Sequence, residues 1–212
     1  MNKLQQVVWG FLLTLMAQSS SVAVEEAKYT VLLKDDDLEV REYEPYIIAQ
    51  TLVEDDFEEA GNTAFRKLFD YIAGDNQLTQ EVEMTAPVGQ TQAVTSKEID
   101  MTAPVGQVQV AGKWSVSFMM PASFTLETLP KPNNEEVTLE RIPARKMASI
   151  TYSGFWSEEG YLEHKALLQD WIASKNFSEV GEPIWARYNP PIMPWFLRRN
   201  EILIPISGFR EE

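Results

Sequence analysis

The chain has 212 residues, no cysteine, 18 basic against 32 acidic residues and a formal net charge of −14. That length buries one sizeable core, and no composition shift marks a linker between domains. The acidity repels phosphate backbones and anionic headgroups and argues against a nucleic-acid partner, while the lack of thiols excludes disulfides and a lipid-modified N-terminus.

Residues 1–23 differ in kind from the rest. Lys3 stands near the start, a largely apolar run covers 7–17, and Ser21-Val22-Ala23 places small residues at −3 and −1 of a cleavage site, the three-part form of a secretory signal peptide. The run is well short of the roughly 20 residues a spanning helix needs. The expected division is a signal peptide over 1–23 and a single domain over 24–212, periplasmic or secreted, with no stable membrane insertion after cleavage. Removing Lys3 leaves 17 basic against 32 acidic residues, a net charge of −15.

Period-two alternation predicts strands over 29–33 and 38–43, separated by Asp35-Asp36-Asp37, and over 46–53 after Pro45. Helical spacing then puts Ala60, Gly61, Ala64, Leu68, Tyr71 and Ile72 on one face of a helix over 57–73, with Gly74 just past its end. Further strands are predicted over 114–121, 137–142 and 146–152, a second helix over 158–174, and two last strands over 184–191 and 198–206 around a proline-rich apolar loop. A shift of about 100 residues sets Leu68 on Leu168 and Tyr71-Ile72 on Trp171-Ile172, so the chain reads as two weakly similar α+β halves.

One heptapeptide occurs twice: Met84-Thr85-Ala86-Pro87-Val88-Gly89-Gln90 and, seventeen residues on, Met101-Thr102-Ala103-Pro104-Val105-Gly106-Gln107. Each proline denies a ladder one donor, so each copy reads as a short strand that stops or turns there. No nucleophile pair, metal set or phosphate loop lies in the unit.

Five elements in fixed order resemble the SOUL family of heme-binding proteins: Glu39-Val40-Arg41-Glu42-Tyr43; Tyr71-Ile72-Ala73-Gly74-Asp75-Asn76; Met84-Thr85-Ala86-Pro87-Val88; Phe118-Met119-Met120-Pro121; and Arg187-Tyr188-Asn189-Pro190-Pro191 followed by Arg198-Arg199-Asn200-Glu201-Ile202. The resemblance implies an exported bacterial member with a distorted antiparallel β-barrel, two flanking helices and pseudo-twofold halves. It implies non-covalent binding of heme or a related tetrapyrrole, generally without an established reaction. A tetrapyrrole-modifying or heme-degrading enzyme and an envelope protein-interaction module are the alternatives. The fold also resembles small-molecule modules of drug-responsive regulators, so another flat apolar ligand fits the pattern as well.

The first helix carries more apolar surface than one core stripe requires. Phe65 lies about 70° and Phe69 about 110° from the stripe centre, with Asn62 beside them, and two aromatics at i and i+4 form a side-facing platform. By the resemblance, Asn62, Phe65 and Phe69 fall on the groove positions of heme-binding relatives and Met193 on a groove edge; the other reading is that the loop containing Trp195 and Phe196 covers Phe69. Arg187, Arg198 and Arg199 are the donors suited to propionates. Adjacent strand residues face opposite sides, which favours Arg198 for the site and Arg199 for pairing with acids such as Glu201. His164, the single histidine, falls on the apolar face of the second helix among Tyr161, Leu167, Leu168, Trp171 and Ile172; a buried neutral imidazole suits that place better than an iron ligand. Met84, Met101, Met119 and Met120 suit core packing better than a metal site, and no catalytic residue is expected.

Overall fold

A computed structural model describes residues 24–78 and 96–209. In chain order the elements are β1 (Glu25–Glu26), β2 (Tyr29–Asp35), β3 (Leu38–Tyr43), β4 (Tyr46–Val53), α1 (Phe57–Ile72), β5 (Asn76–Gln77), β6 (Thr102–Ala103), β7 (Val105–Val110), β8 (Lys113–Met119), β9 (Lys131–Pro132), β10 (Thr138–Ile142), β11 (Arg145–Tyr152), α2 (Glu158–Ser174), β12 (Ser178–Glu179), β13 (Ile184–Arg187) and β14 (Asn200–Ser207). The signal-peptide segment and the first heptapeptide copy lie outside the described residues. Among the described residues no helix is long and apolar enough to cross a membrane.

The ten-stranded main sheet runs β10-β4-β8-β7-β13-β14-β11-β3-β2, with β12 paired to β14, and its consecutive neighbours are antiparallel. The expected distorted antiparallel β-barrel is found here as a large antiparallel sheet that does not close. It ends at β10 and β2, and no pairing among the described residues joins the two edges. Both edges carry features that resist further pairing: β2 has a register shift between Val31 and Leu33, and β10 exposes Glu140. Turn chemistry fixes the β7–β8 hairpin, whose two-residue loop puts Ala111 at φ 50° and Gly112 at φ 81°, both in the left-handed region that a tight hairpin needs.

Strand alternation divides the side chains between two faces. Ala49, Val116, Phe118, Trp185, Ile202 and Ile204 join Ala60, Ala64 and Leu68 of α1 and Leu168, Trp171 and Ile172 of α2 in one buried cluster, so both helices cover the same face. Tyr43, Met147, Ala186 and Leu203 form a smaller cluster on the other side. Asp56 caps α1 by accepting from the Glu59 amide at 2.9 Å, and the Ser157 hydroxyl accepts from Gly160 N at 3.2 Å at the start of α2. The core stripe expected on α1 is buried throughout. On α2, Leu167 departs from the expected apolar face and is exposed, one position off the Leu168 row.

The second heptapeptide copy spans β6 and the start of β7. Pro104 ends β6, whose partner is β1, and a new strand, β7, starts at Val105 and pairs with β8 and β13, so this copy is a short strand that stops at its proline as expected. Thr102 Oγ1 donates to the Met119 carbonyl. Gln107 is buried and donates from Nε2 to the Phe57 carbonyl at 2.8 Å, tying β7 to the first residue of α1.

Candidate functional site

The rows of α1 that do not face the core determine what it presents outward. Phe65 and Phe69 stand at i and i+4 on these rows, whereas Gly61, one turn before Phe65, lies on the buried edge of the core stripe. Phe65 is 38% and Phe69 43% exposed. Their rings stack at 5.9 Å and 14°, and Phe65 also meets the edge of buried Phe118 at 5.2 Å. The sheet therefore supports the platform from behind while its outer side stays open. Asn62 is exposed beside it.

Met193 and Arg198 belong to a second group. Arg198 donates from Nε to the Met193 carbonyl at 2.8 Å and from Nη2 to the Pro191 carbonyl at 2.8 Å, and its guanidinium lies 4.5 Å from the Trp156 ring centre. Much of its donor capacity thus holds its own loop. Trp195 and Phe196 do not cover Phe69: Trp195 stacks on Phe155 at 5.1 Å and meets Phe196 edge-on at 5.5 Å.

The last sequence motif forms a mutually bonded cluster. Glu201 is fully buried and accepts from Arg41 at 2.9 and 3.2 Å, Tyr188 at 2.7 Å, Arg199 at 3.1 Å and Thr151 at 3.2 Å. Arg199 also reaches Glu26, and its amide donates to Asn189 Oδ1 at 2.6 Å. Burial would raise the Glu201 carboxyl, but the bonds and charge of Arg41, the Tyr188 hydroxyl and Arg199 outweigh it and hold the group below its ordinary value. Asn200, on the opposite side of the strand, accepts from Trp156 Nε1 at 2.9 Å and orients that indole. Sequence reasoning placed Arg199 against Glu201 correctly, and gave Asn200 and Tyr188 no role.

Arg187 is the exception within this motif. Its Nη2 donates to Gln107 Oε1 at 3.3 Å, its Nε is buried without a hydrogen-bond partner, and no carboxylate among the described residues forms an ion pair with it. The guanidinium lies 4.8 Å from the Trp185 ring centre and 5.3 Å from that of Trp156. Trp156 therefore contacts both Arg187 and Arg198. A Cβ added at Gly61 would stand 2.7 Å from Arg187 Nη2, so the absence of a side chain there gives the guanidinium its place against α1.

His164 is half-buried. Its Nδ1–H donates to the Gly160 carbonyl at 2.7 Å, and its ring stacks on Tyr152 at 3.8 Å and 13°. No cluster of three or more His, Asp or Glu suited to a metal occurs among the described residues. On the helix-free face of the sheet a cavity of about 430 Å³ is lined by Tyr43, Tyr46, Tyr188 and Ile184, with Glu140, Glu182 and Arg145 among its charged residues.

The SOUL heme-binding protein description matches residues 24–205, nearly the whole described region. The chain belongs to the SOUL heme-binding protein family. This SOUL chain is 26% identical over 165 residues to Heme-binding protein 1 of Xenopus tropicalis, covering 77% of this chain and 80% of that protein. A solved structure titled an uncharacterized conserved protein from Listeria innocua superposes with a TM-score of 0.57 at 12% identity, covering 81% of this chain and 92% of the other. The EcmrR C-terminal domain gives a TM-score of 0.52 at 12% identity over 85% of this chain and 99% of the domain. A Listeria innocua structure titled a hydrolase gives 0.54 at 12% identity, with 81% and 92% covered. At such identities these structures establish a shared fold alone.

Proposed function

We propose that this SOUL chain binds heme or a related tetrapyrrole non-covalently in a shallow groove on the outer face of α1. Asn62, Phe65 and Phe69 supply the platform, and Met193 and Arg198, on the loop before β14, are assigned to the groove edge by the family resemblance. The observation that carries the reading is the stacked, sheet-backed and outward-facing Phe65–Phe69 pair in a chain of a heme-binding family. An aromatic surface suits a flat π-system. The residues present fit the group, since the platform is apolar and the guanidinium of Arg187, which no carboxylate among the described residues pairs with, lies one turn before Phe65 beside Gly61. The cavity on the helix-free face suits an anionic ring less well, because two acids, Glu140 and Glu182, border it against one cation, Arg145. The expected signal peptide puts this activity in a periplasm or outside the cell.

Hemin added to the purified protein should give a saturable Soret shift. Phe65→Ala with Phe69→Ala should weaken binding roughly tenfold, as the loss of two aromatic contacts predicts. Absence of saturable binding by the wild-type protein would sink the proposal. His164→Ala should leave the spectrum of bound heme unchanged, because the imidazole is held by Gly160 and Tyr152; an altered Soret band in that variant would instead assign it to the iron.

A second reading rests on a different surface. Phe155, Ile192, Trp195, Phe196 and Leu197 are all exposed, Ile192 to 90%, and together form an apolar patch of the kind that marks contact with another protein. Co-purification of an envelope partner that disappears on replacing Trp195 and Phe196 by serine, with hemin binding intact, would support that function.

A further inference from the structure

The arginines of this chain differ in what neutralises them. Arg41 is buried between Glu39 and Glu201, and Arg199 lies between Glu26 and Glu201. Arg187 has a neutral amide at 3.3 Å, two indole faces and a buried, unpartnered Nε. Burial pushes its pKa down to about 10, so it stays a cation at neutral pH. An enclosed cation without a counter-ion costs stability unless something else compensates it, and indole faces do so only in part. In a protein of net charge −14, an arginine kept away from acids is primed for an external anion.

Its position gives that anion a geometry. The guanidinium abuts Gly61 on the buried edge of α1, and Phe118, which supports Phe65, is in register through Val105 with Arg187, two strands or roughly 10 Å away. A flat molecule lying on the two phenylalanines therefore brings its periphery to Arg187. Trp156, held by Asn200, links that point to Arg198 on the loop.

We propose that Arg187 is the anchor for a ligand carboxylate, pairing with an acid group at the edge of a flat apolar ring whose body rests on Phe65 and Phe69. The assignment rests on the ring-binding reading above and adds its polar half: the preferred ligand is a ring acid rather than its ester. Gln107 and the two indoles position the guanidinium, and Gly61 leaves room for it.

The test compares protoporphyrin IX with its dimethyl ester, which has the same ring without ionisable groups, by quenching of tryptophan fluorescence in the purified protein. The wild type should bind the acid roughly 10- to 100-fold more tightly than the ester, the range expected for a charge-assisted hydrogen-bonded pair. Arg187→Met should bring the two affinities within about twofold while leaving ester binding near the wild-type value. Arg187→Lys should keep part of the preference, because it retains charge but not the planar fork. Gly61→Ala should lower the preference with every charge retained, since its Cβ displaces the guanidinium. Arg187→Met should also melt at or above the wild-type temperature, because an uncompensated buried charge is removed. A wild type that binds acid and ester equally, or an Arg187→Met variant that keeps the full preference, overturns the anchor and leaves the platform standing. A wild type that binds neither porphyrin overturns both.

Discussion

Replacing Glu201 by alanine should destabilise the protein by about 3–5 kcal/mol, the cost of removing one partner from a buried ionic cluster. Glu201 has no exposed surface, and its carboxylate accepts from Arg41, Tyr188, Arg199 and Thr151. Deletion leaves Arg41, itself buried, with only Glu39 to balance it. It also strands the Tyr188 hydroxyl, which burial and the Glu201 charge already hold protonated well above its ordinary range. Urea denaturation should show the loss as a lower midpoint at unchanged slope. Acid should reproduce part of it in the wild type. The Glu201 carboxyl is held below its unfolded value, so the unfolded chain takes up this proton first as pH falls. The associated stability is fully present above the unfolded pKa, near 4.5, and is lost as pH falls through the folded one. Glu39, also held low, contributes in the same direction. Glu201→Gln should therefore show a shallower loss below pH 4.5 than the wild type. Equal slopes would mean that Glu201 carries none of the acid sensitivity.

Trp185→Ala should cost a similar amount, about 3–5 kcal/mol, for a different reason. Trp185 is among the largest fully buried side chains. It stacks on Phe57 of α1 at 4.8 Å, approaches Tyr161 of α2 at 6.2 Å and donates from its indole to the Tyr152 hydroxyl at 2.9 Å. One side chain thus joins both helices to the sheet, and truncation leaves a void where close packing cannot fully relax. Trp185→Phe should cost clearly less, because much of the volume remains while the bond to Tyr152 is lost. The same ring is a shelf for Arg187, so Trp185→Ala should also weaken any preference for a carboxylate ligand. A midpoint unchanged by the alanine variant would show that Trp185 does not clamp the layers.

The longer elements were readable because their periods are clean. Strands expected over 38–43 and 46–53 and the helix over 158–174 have the same bounds in the structure, and the helix expected over 57–73 differs by one residue. Two-residue strands such as β5 and β9, which pair with each other, carry no period and left no signal. Barrel closure could not be derived from strand patterns, since whether two edges meet depends on twist and coiling accumulated over the whole sheet. At the site, Phe65 and Phe69 were legible as aromatics in surplus of the core stripe. The duties of Arg198 were not, because its acceptors are backbone carbonyls of Met193 and Pro191, and every residue has one. Arg187 looked equivalent to its neighbours in sequence; its isolation from acids is a property of the folded arrangement alone.

Because α1 and α2 pack on one side only, each central strand has two separate occupations. On β8, Val116 and Phe118 support α1 while Ser115 and Ser117 line the cavity opposite. Neighbouring codons therefore govern the packed core on one side and the cavity wall on the other. Substitutions at 115 and 117 reshape the cavity on the helix-free face while the layer beneath Phe65 keeps its packing, and changes along α1 leave the cavity walls in place. The lining of the cavity can accordingly vary in sequence without loosening the helix layer on the other side of the sheet.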